Sequence, residues 1–380
     1  MAGSRRRKVY SLEAEGGLNM AVPVLLMSHS LGHGGGERQL ALTALSLERA
    51  RYAPHVAACD GGYQAERLRE AGVPFFDIGS RSLMSRAALS EGLRLRRYIR
   101  EHSIRLVQTF DYSMNVFGIP VARSVAGVVA LSNLRCHMDL IPTRYRRLNH
   151  WAHRISQGVV VNSKALRSHL VKDYQIPEPK IFTCYNGIDT AVFHPGPRER
   201  ASVVIGTVCV LRPEKNLPLL LEAFAVVAGV RDDARLLVVG SGPEEGALKT
   251  LANRLGIAKR CVFQPSTPDV PRFLAEMDVF VSPSLTEGLS NAIMEAMASG
   301  CCVVASDVGG TGELIEDGVT GLLFPSRDKD ALADRLLRVI DDRTRREALA
   351  AAGAARMRVS FSLQSAAARM QQIYDSVLSA

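Results

Sequence analysis

DVFVSPSLTEGLSNAIMEAMASG, residues 278–300, holds a strand, a loop and a helix in one short run. DVFVSPS (278–284) is apolar, β-branched and of strand length. Ser290 and Asn291 fit a helix start and Gly300 fits its end. Such a helix points its free N–H groups and the positive end of its dipole at whatever sits beyond the strand, and a diphosphate would suit that position. Glu295 falls about one and a half turns into the helix. Side chains lean back toward a helix's N-terminus, so its carboxylate is placed to accept bonds from hydroxyls at the helix mouth. Glu287, in the loop, faces the same ligand from another side. Two carboxylates beside a phosphate site are hard to explain unless they bind hydroxyls, and the combination reads as nucleotide plus sugar. The same spacing also describes a capped surface helix with two incidental glutamates.

Working outward, short apolar runs alternate with longer amphipathic stretches. Seven runs fall at 23–30, 55–60, 73–78, 105–110, 127–132, 158–163 and 180–186. Six more fall at 203–211, 235–242, 261–265, 278–284, 302–307 and 321–325. Strand–helix alternation implies parallel sheets covered on both faces. Two series imply an α/β chain of two doubly wound, Rossmann-like domains with a ligand cleft between them. The polar, proline-bearing VFHPGPRERA (192–201) marks the break. The expected organisation is a loose tail over 1–20, domains over 21–195 and 196–361, and a C-terminal helix over 362–380 that packs back on the first domain.

Composition bounds the function. Apolar residues make up 47% and charged residues 22% of the 380, an ordinary globular balance that excludes global disorder. The net charge of +9 is uneven: residues 1–195 carry 26 basic against 15 acidic side chains, the remainder 21 against 23. A basic first half attracts phosphates or an anionic membrane. No nucleic-acid module accompanies it, so nucleic acid is not an expected partner. The seven cysteines lack Cys-x-x-Cys spacing and sit mostly in apolar runs, which reads as reduced core thiols and gives zinc no support. Arg5–Lys8 is followed by acidic and glycine residues rather than an apolar core, so no signal peptide is expected. The expected location is cytoplasmic, extending to the inner membrane face.

Glu287-x7-Glu295, set in PS-x-x-EG-x-x-N-x-x-x-EAMA-x-G, resembles the signature of glycosyltransferase family 4, of the two-domain GT-B type. The resemblance runs from about residue 23 and includes LGHGGGERQ (31–39), VVVNS (159–163), YNGID (185–189), LRPEKN (211–216), GSGP (240–243) and DVGGTGELIEDGVTGLLF (307–324). It implies a retaining, metal-independent transferase that needs no cofactor and takes a nucleotide sugar as substrate. UDP is the commoner donor in that family and GDP the alternative. By the same resemblance Glu295 holds ribose hydroxyls, Glu287 contacts the transferred sugar, and backbone N–H groups near Leu289 and Ser290 bind phosphate beside Gly288 and Asn291. Lys215 neutralises the diphosphate, Gly35 or Gly36 approaches it from the other domain, and Gly240 and Gly242 of GSGP complete the donor side.

Two positions depart from the pattern. The usual basic residue five before Lys215 is Val210 here, and Arg212 is the nearest substitute. The acceptor-side histidine region reads LSNLRCHMD (131–139), leaving Arg135 and His137 as alternatives. Glu313 reads equally as a cap or as lining of the donor pocket. The basic stretches EGLRLRRYIREH (91–102) and TRYRRLNHWAHR (143–154) suggest a sugar, lipid-linked glycan or other anionic acceptor at a membrane surface. Arg144, Arg147 and Trp151 share a helical face in the second stretch. A nucleotide-sugar epimerase or a non-catalytic nucleotide-sugar binder would share the architecture.

Overall fold

A computed structural model describes residues 21–32, 34–80, 86–196 and 202–380. The tail expected over 1–20, His33 of the glycine-rich loop and part of the 192–201 break lie outside the described residues.

The first seven strands are β1 (Val22–Ser30), β2 (Tyr52–Asp60), β3 (Phe75–Asp77), β4 (Leu106–Thr109), β5 (Val129–Leu134), β6 (Gly158–Val161) and β7 (Ile181–Thr183). They form one parallel sheet in the order β3-β2-β1-β4-β5-β6-β7. The helices between them are α1 (Gly35–Ser46), α2 (Tyr63–Glu70), α3 (Arg86–Glu101), α4 (Tyr112–Arg123), α5 (Thr143–Ile155) and α6 (Lys164–Lys172). Alternate residues of β1 point to opposite faces. Val24 and Leu26 meet α1 and α2, while Leu25 and Met27 meet α3 and α4.

The second sheet holds β8 (Val203–Val208), β9 (Ala234–Val239), β10 (Cys261–Gln264), β11 (Val279–Ser282), β12 (Cys302–Ser306) and β13 (Leu322–Phe324). It is parallel, in the order β10-β9-β8-β11-β12-β13. Its helices are α7 (Leu217–Val230), α8 (Glu245–Arg254), α9 (Val270–Glu276), α10 (Asn291–Ala298), α11 (Thr311–Leu314), α12 (Lys329–Asp341) and α13 (Arg343–Ser360). Every apolar run singled out in the sequence is a strand, and the chain is α/β with two Rossmann-like sheets.

Both sheets reverse strand order once, at β1/β4 and at β8/β11. Ligand crevices open at such reversals, beyond the strands' carboxyl ends. The chain passes between the domains twice at one place. Ile188 and Phe193 are buried among second-domain residues, and the backbone of Ile188 exchanges bonds with Phe361 (2.9 Å) and Leu363 (3.1 Å). Helix α14 (Leu363–Leu378) then returns to the first domain, where Met370, Ile373 and Tyr374 are buried.

Candidate active site

The reversal in the second sheet brings two loops together. One follows β8 and carries Lys215 at the end of a single 3-10 turn (Pro213–Lys215); the other follows β11 and carries Glu287. Lys215 Nζ donates to Glu287 Oε1 at 2.6 Å, and Ser284 Oγ donates to the same oxygen at 2.8 Å. Burial opposes the Lys215 ammonium, but Glu287 outweighs it and holds the amine above the ordinary lysine value. A third loop supports this pair from behind. Gly309 has φ +52°, and a β-carbon there would sit 1.9 Å from the Glu287 carbonyl oxygen. At Gly310 the same test gives 2.1 Å to the Gly288 oxygen. The two glycines therefore let the DVGGTG segment lie directly on the Glu287–Gly288 backbone.

Helix α10 starts at the same place. Ser290 caps it, accepting from the Ile293 N–H at 3.5 Å. Glu295 is almost completely buried, and its carboxylate reaches across the cleft to the guanidinium of Arg38 on α1. Burial pushes the Glu295 carboxyl up to about 6, against the opposing pull of Arg38. A raised carboxyl pKa favours the neutral form, so the charged acceptor is complete only above about 6. Donor affinity is therefore expected to weaken as pH falls through that value. A calorimetric pH series should show this step in the native chain and lose it in Glu295→Gln. A step unchanged by the substitution would assign it elsewhere.

Asn291 stitches the domains together. Its Oδ1 accepts from Asn186 at 2.8 Å and from Gln39 at 3.3 Å, and its Nδ2 donates to the Gly35 carbonyl at 3.2 Å. Gly35 thus lies against the mouth of α10, with room for no β-carbon beside Asn291 (2.6 Å), while Gly36 lies against Phe110. A cavity of about 250 Å³ opens beside Glu295, between Arg38 and Tyr63 of the first domain and Thr267 and Pro268 of the second.

The remaining candidates lie further from the Lys215–Glu287 pair. Arg212 is largely exposed, its nearest carboxylate being Glu214 at 4.0 Å, and Val210 is exposed as well. Gly240 and Gly242 sit behind the Lys215 loop. A β-carbon on Gly240 would lie 1.8 Å from the Cys209 oxygen, and one on Gly242 2.4 Å from the Leu211 oxygen.

Arg135 turns away from Glu287 toward the interdomain crossing. Its guanidinium is buried over the Phe110 ring (4.7 Å) and donates to Asn186 at 2.7 Å. Burial lowers its pKa to about 10. Its carbonyl closes on Gly288 of the Glu287 loop. The His137 ring packs on His169 at 4.0 Å, near Asp139. These three side chains form a metal-capable group, but both nitrogens of His169 are engaged, by Asp173 (2.7 Å) and by the Met138 N–H (3.4 Å).

Glu313, read from sequence as a cap or a pocket residue, caps a helix of the other domain. Its carboxylate accepts from the N–H groups of Lys164 (2.8 Å) and Ala165 (2.9 Å) at the start of α6, and from Tyr185 Oη (2.8 Å). Sequence reasoning passed over Arg38, Gln39 and Asn186 as site residues. The available signal was position: Arg38 and Gln39 end the glycine-rich motif one helical turn from the loop, and Asn186 lies in YNGID.

Two facing Rossmann-like domains, with a cationic loop and a helix mouth in the cleft, define a GT-B glycosyltransferase. Residues 33–192 match the family described as Glycosyltransferase Family 4, and residues 202–342 match Glycosyl transferases group 1. A GDP-mannose-dependent alpha-(1-6)-phosphatidylinositol monomannoside mannosyltransferase of Mycobacterium tuberculosis is 30% identical over 286 residues, covering 69% of this chain and 73% of that protein. The lipopolysaccharide core biosynthesis mannosyltransferase LpsB of Rhizobium meliloti is 31% identical over 211 residues, covering 51% and 60%. Among solved structures, Anabaena HepE in complex with UDP-glucose superposes with TM-score 0.82 at 20% identity, covering 93% of this chain and 99% of that one. The chain belongs to glycosyltransferase family 4.

Proposed function

We propose that this chain transfers mannose from GDP-mannose, with retention of anomeric configuration, to a phosphate-bearing glycolipid. The observation that carries the transferase reading is the Lys215–Glu287 pair set against the mouth of α10. A departing nucleoside diphosphate gains charge as the glycosidic bond breaks. Lys215 and the N–H groups near Leu289 and Ser290 hold that charge. Glu287 accepts from hydroxyls of the sugar and Glu295 from those of the ribose.

The preference for UDP taken from the family at large gives way to GDP. Relatives at 28–34% identity include several named as GDP-mannose-dependent or as mannosyltransferases, beside others at 29–32% named as D-inositol 3-phosphate glycosyltransferases. The likeness to HepE, at 20% identity, speaks to fold alone. A thermal-shift comparison tests the choice. At a hundredfold excess over Kd a ligand adds about 2.7 kcal/mol of apparent stability. GDP and GDP-mannose are expected to raise Tm well beyond UDP and UDP-glucose at equal concentration. A larger shift with UDP-sugars would overturn the assignment, and the product's anomeric proton coupling would test retention.

Surface apolar residues support a membrane-borne acceptor. No described helix is long and apolar enough to cross a membrane. On the α3–α5 layer, however, Leu89 and Leu93 are 74% and 66% exposed, one helical turn apart, and Trp151 is also exposed. Arg97 and Arg100 continue the exposed face of α3. Leucines flanked by arginines are the arrangement of a helix lying in an anionic interface. Leu89→Ser with Leu93→Ser should markedly reduce sedimentation with phosphatidylglycerol-containing vesicles while sparing GDP binding. Unchanged sedimentation would remove α3 from the contact.

A further inference from the structure

Helix α5 packs closely on α4 but stands apart from α6. The gap is an open groove of about 370 Å³ on the outer face of the first domain, away from the donor cleft. Arg146, Arg147, His150 and Arg154 of α5 form one wall, and Asp173 and Tyr174, just past α6, form the other.

The groove gathers cations and neutralises few of them. Arg146 faces Asp139 at 3.7 Å, and Asp173 is bonded by His169 at 2.7 Å. Among the described residues, Arg147 and Arg154 have no ion-pair partner. His150 Nδ1 is shielded from solvent and unbonded. Lys180 adds a further charge where its Nζ donates to the Arg154 carbonyl at 2.8 Å. Burial, and after it Arg154, holds the His150 pKa below the ordinary value; burial, then Arg123 and Arg154, does the same for Lys180. Like charges held this close raise the local potential and draw an anion. Guanidinium forks match phosphate oxygens two at a time.

We propose that the α5/α6 groove binds a phosphate ester, held by Arg147 and Arg154 with His150 beneath them. The groove is separate from the donor site and from Leu89 and Leu93, so it stands or fails independently of both. The ester could be the headgroup of an anionic lipid or a free phosphomonoester, and the chemistry that recognises them is the same.

The test uses the full chain at low salt with two probes: glycerol 3-phosphate by calorimetry, and phosphatidylcholine vesicles with and without phosphatidylglycerol by sedimentation. Arg147→Gln/Arg154→Gln is compared with Arg272→Gln/Arg345→Gln, which removes the same charge from exposed positions of the second domain. Glycerol 3-phosphate binding that weakens roughly tenfold in the first variant alone identifies a free phosphate ester. Binding only to phosphatidylglycerol vesicles, weakened in the first variant alone, identifies a lipid headgroup. Equal weakening in both variants, or no binding of either probe, overturns the proposal. The Tm rise with GDP reports folding of each variant and separates this outcome from failure of the donor reading. His150→Asn, which keeps the arginines, should weaken the same probe to a smaller extent.

Discussion

Lys215→Ala is expected to lower kcat by about two to three orders of magnitude, the range seen when one donor to a developing anion is removed. The effect should fall mainly on turnover because the diphosphate carries more charge as it leaves than while attached to the sugar. Stopped-time assays with saturating donor would measure it, with donor Kd taken separately by calorimetry. A drop confined to Kd would make Lys215 a binding residue only, and an unchanged kcat would remove it from the mechanism. Lys215 is bonded to Glu287, which also accepts from Ser284, so losing the amine also leaves a largely buried carboxylate with a single donor. Effects of Lys215→Ala and Glu287→Gln should therefore be far from additive.

Gly309→Ala is expected to be strongly damaging for a single added methyl. Its left-handed backbone costs a non-glycine residue about 1–2 kcal/mol, and the new carbon would collide with the Glu287 carbonyl, adding roughly 1–3 kcal/mol of overpacking. Gly318→Ala provides the control. It has φ +75° but nothing within 4 Å of the added carbon, so it carries the backbone cost without the collision. Urea unfolding should place Gly309→Ala well below Gly318→Ala, and only Gly309→Ala should impair turnover by displacing Glu287. Equal midpoints and equal rates would show that the loop yields freely and does not position the glutamate.

The strands were readable because each is a short apolar run, and in the central ones burial is total, as in Val159–Val161 or Val303–Ala305. The loops carrying Lys215 and Glu287 stood out through their resemblance to the family's motifs, in which glycine, lysine and glutamate keep a fixed spacing. What the sequence hid is contact across the cleft. Nothing local marks Arg38 as the partner of Glu295, 257 residues away, or Glu313 as the cap of a helix in the other domain. Arg135 shows the converse. Its loop is adjacent to Gly288, yet the side chain turns inward to Phe110 and Asn186, a choice set by rotamer and packing rather than by composition.

The cross-cleft ion pair has one more consequence. Lys215 is paired with Glu287 and Glu295 with Arg38. Free phosphate must compete with a carboxylate for the lysine, and a free nucleoside must compete with a guanidinium for the glutamate. A ligand that carries both a diphosphate and a ribose, joined at the right separation, meets both demands in a single event. On the proposed reading, the two pairs favour an intact nucleotide over its fragments.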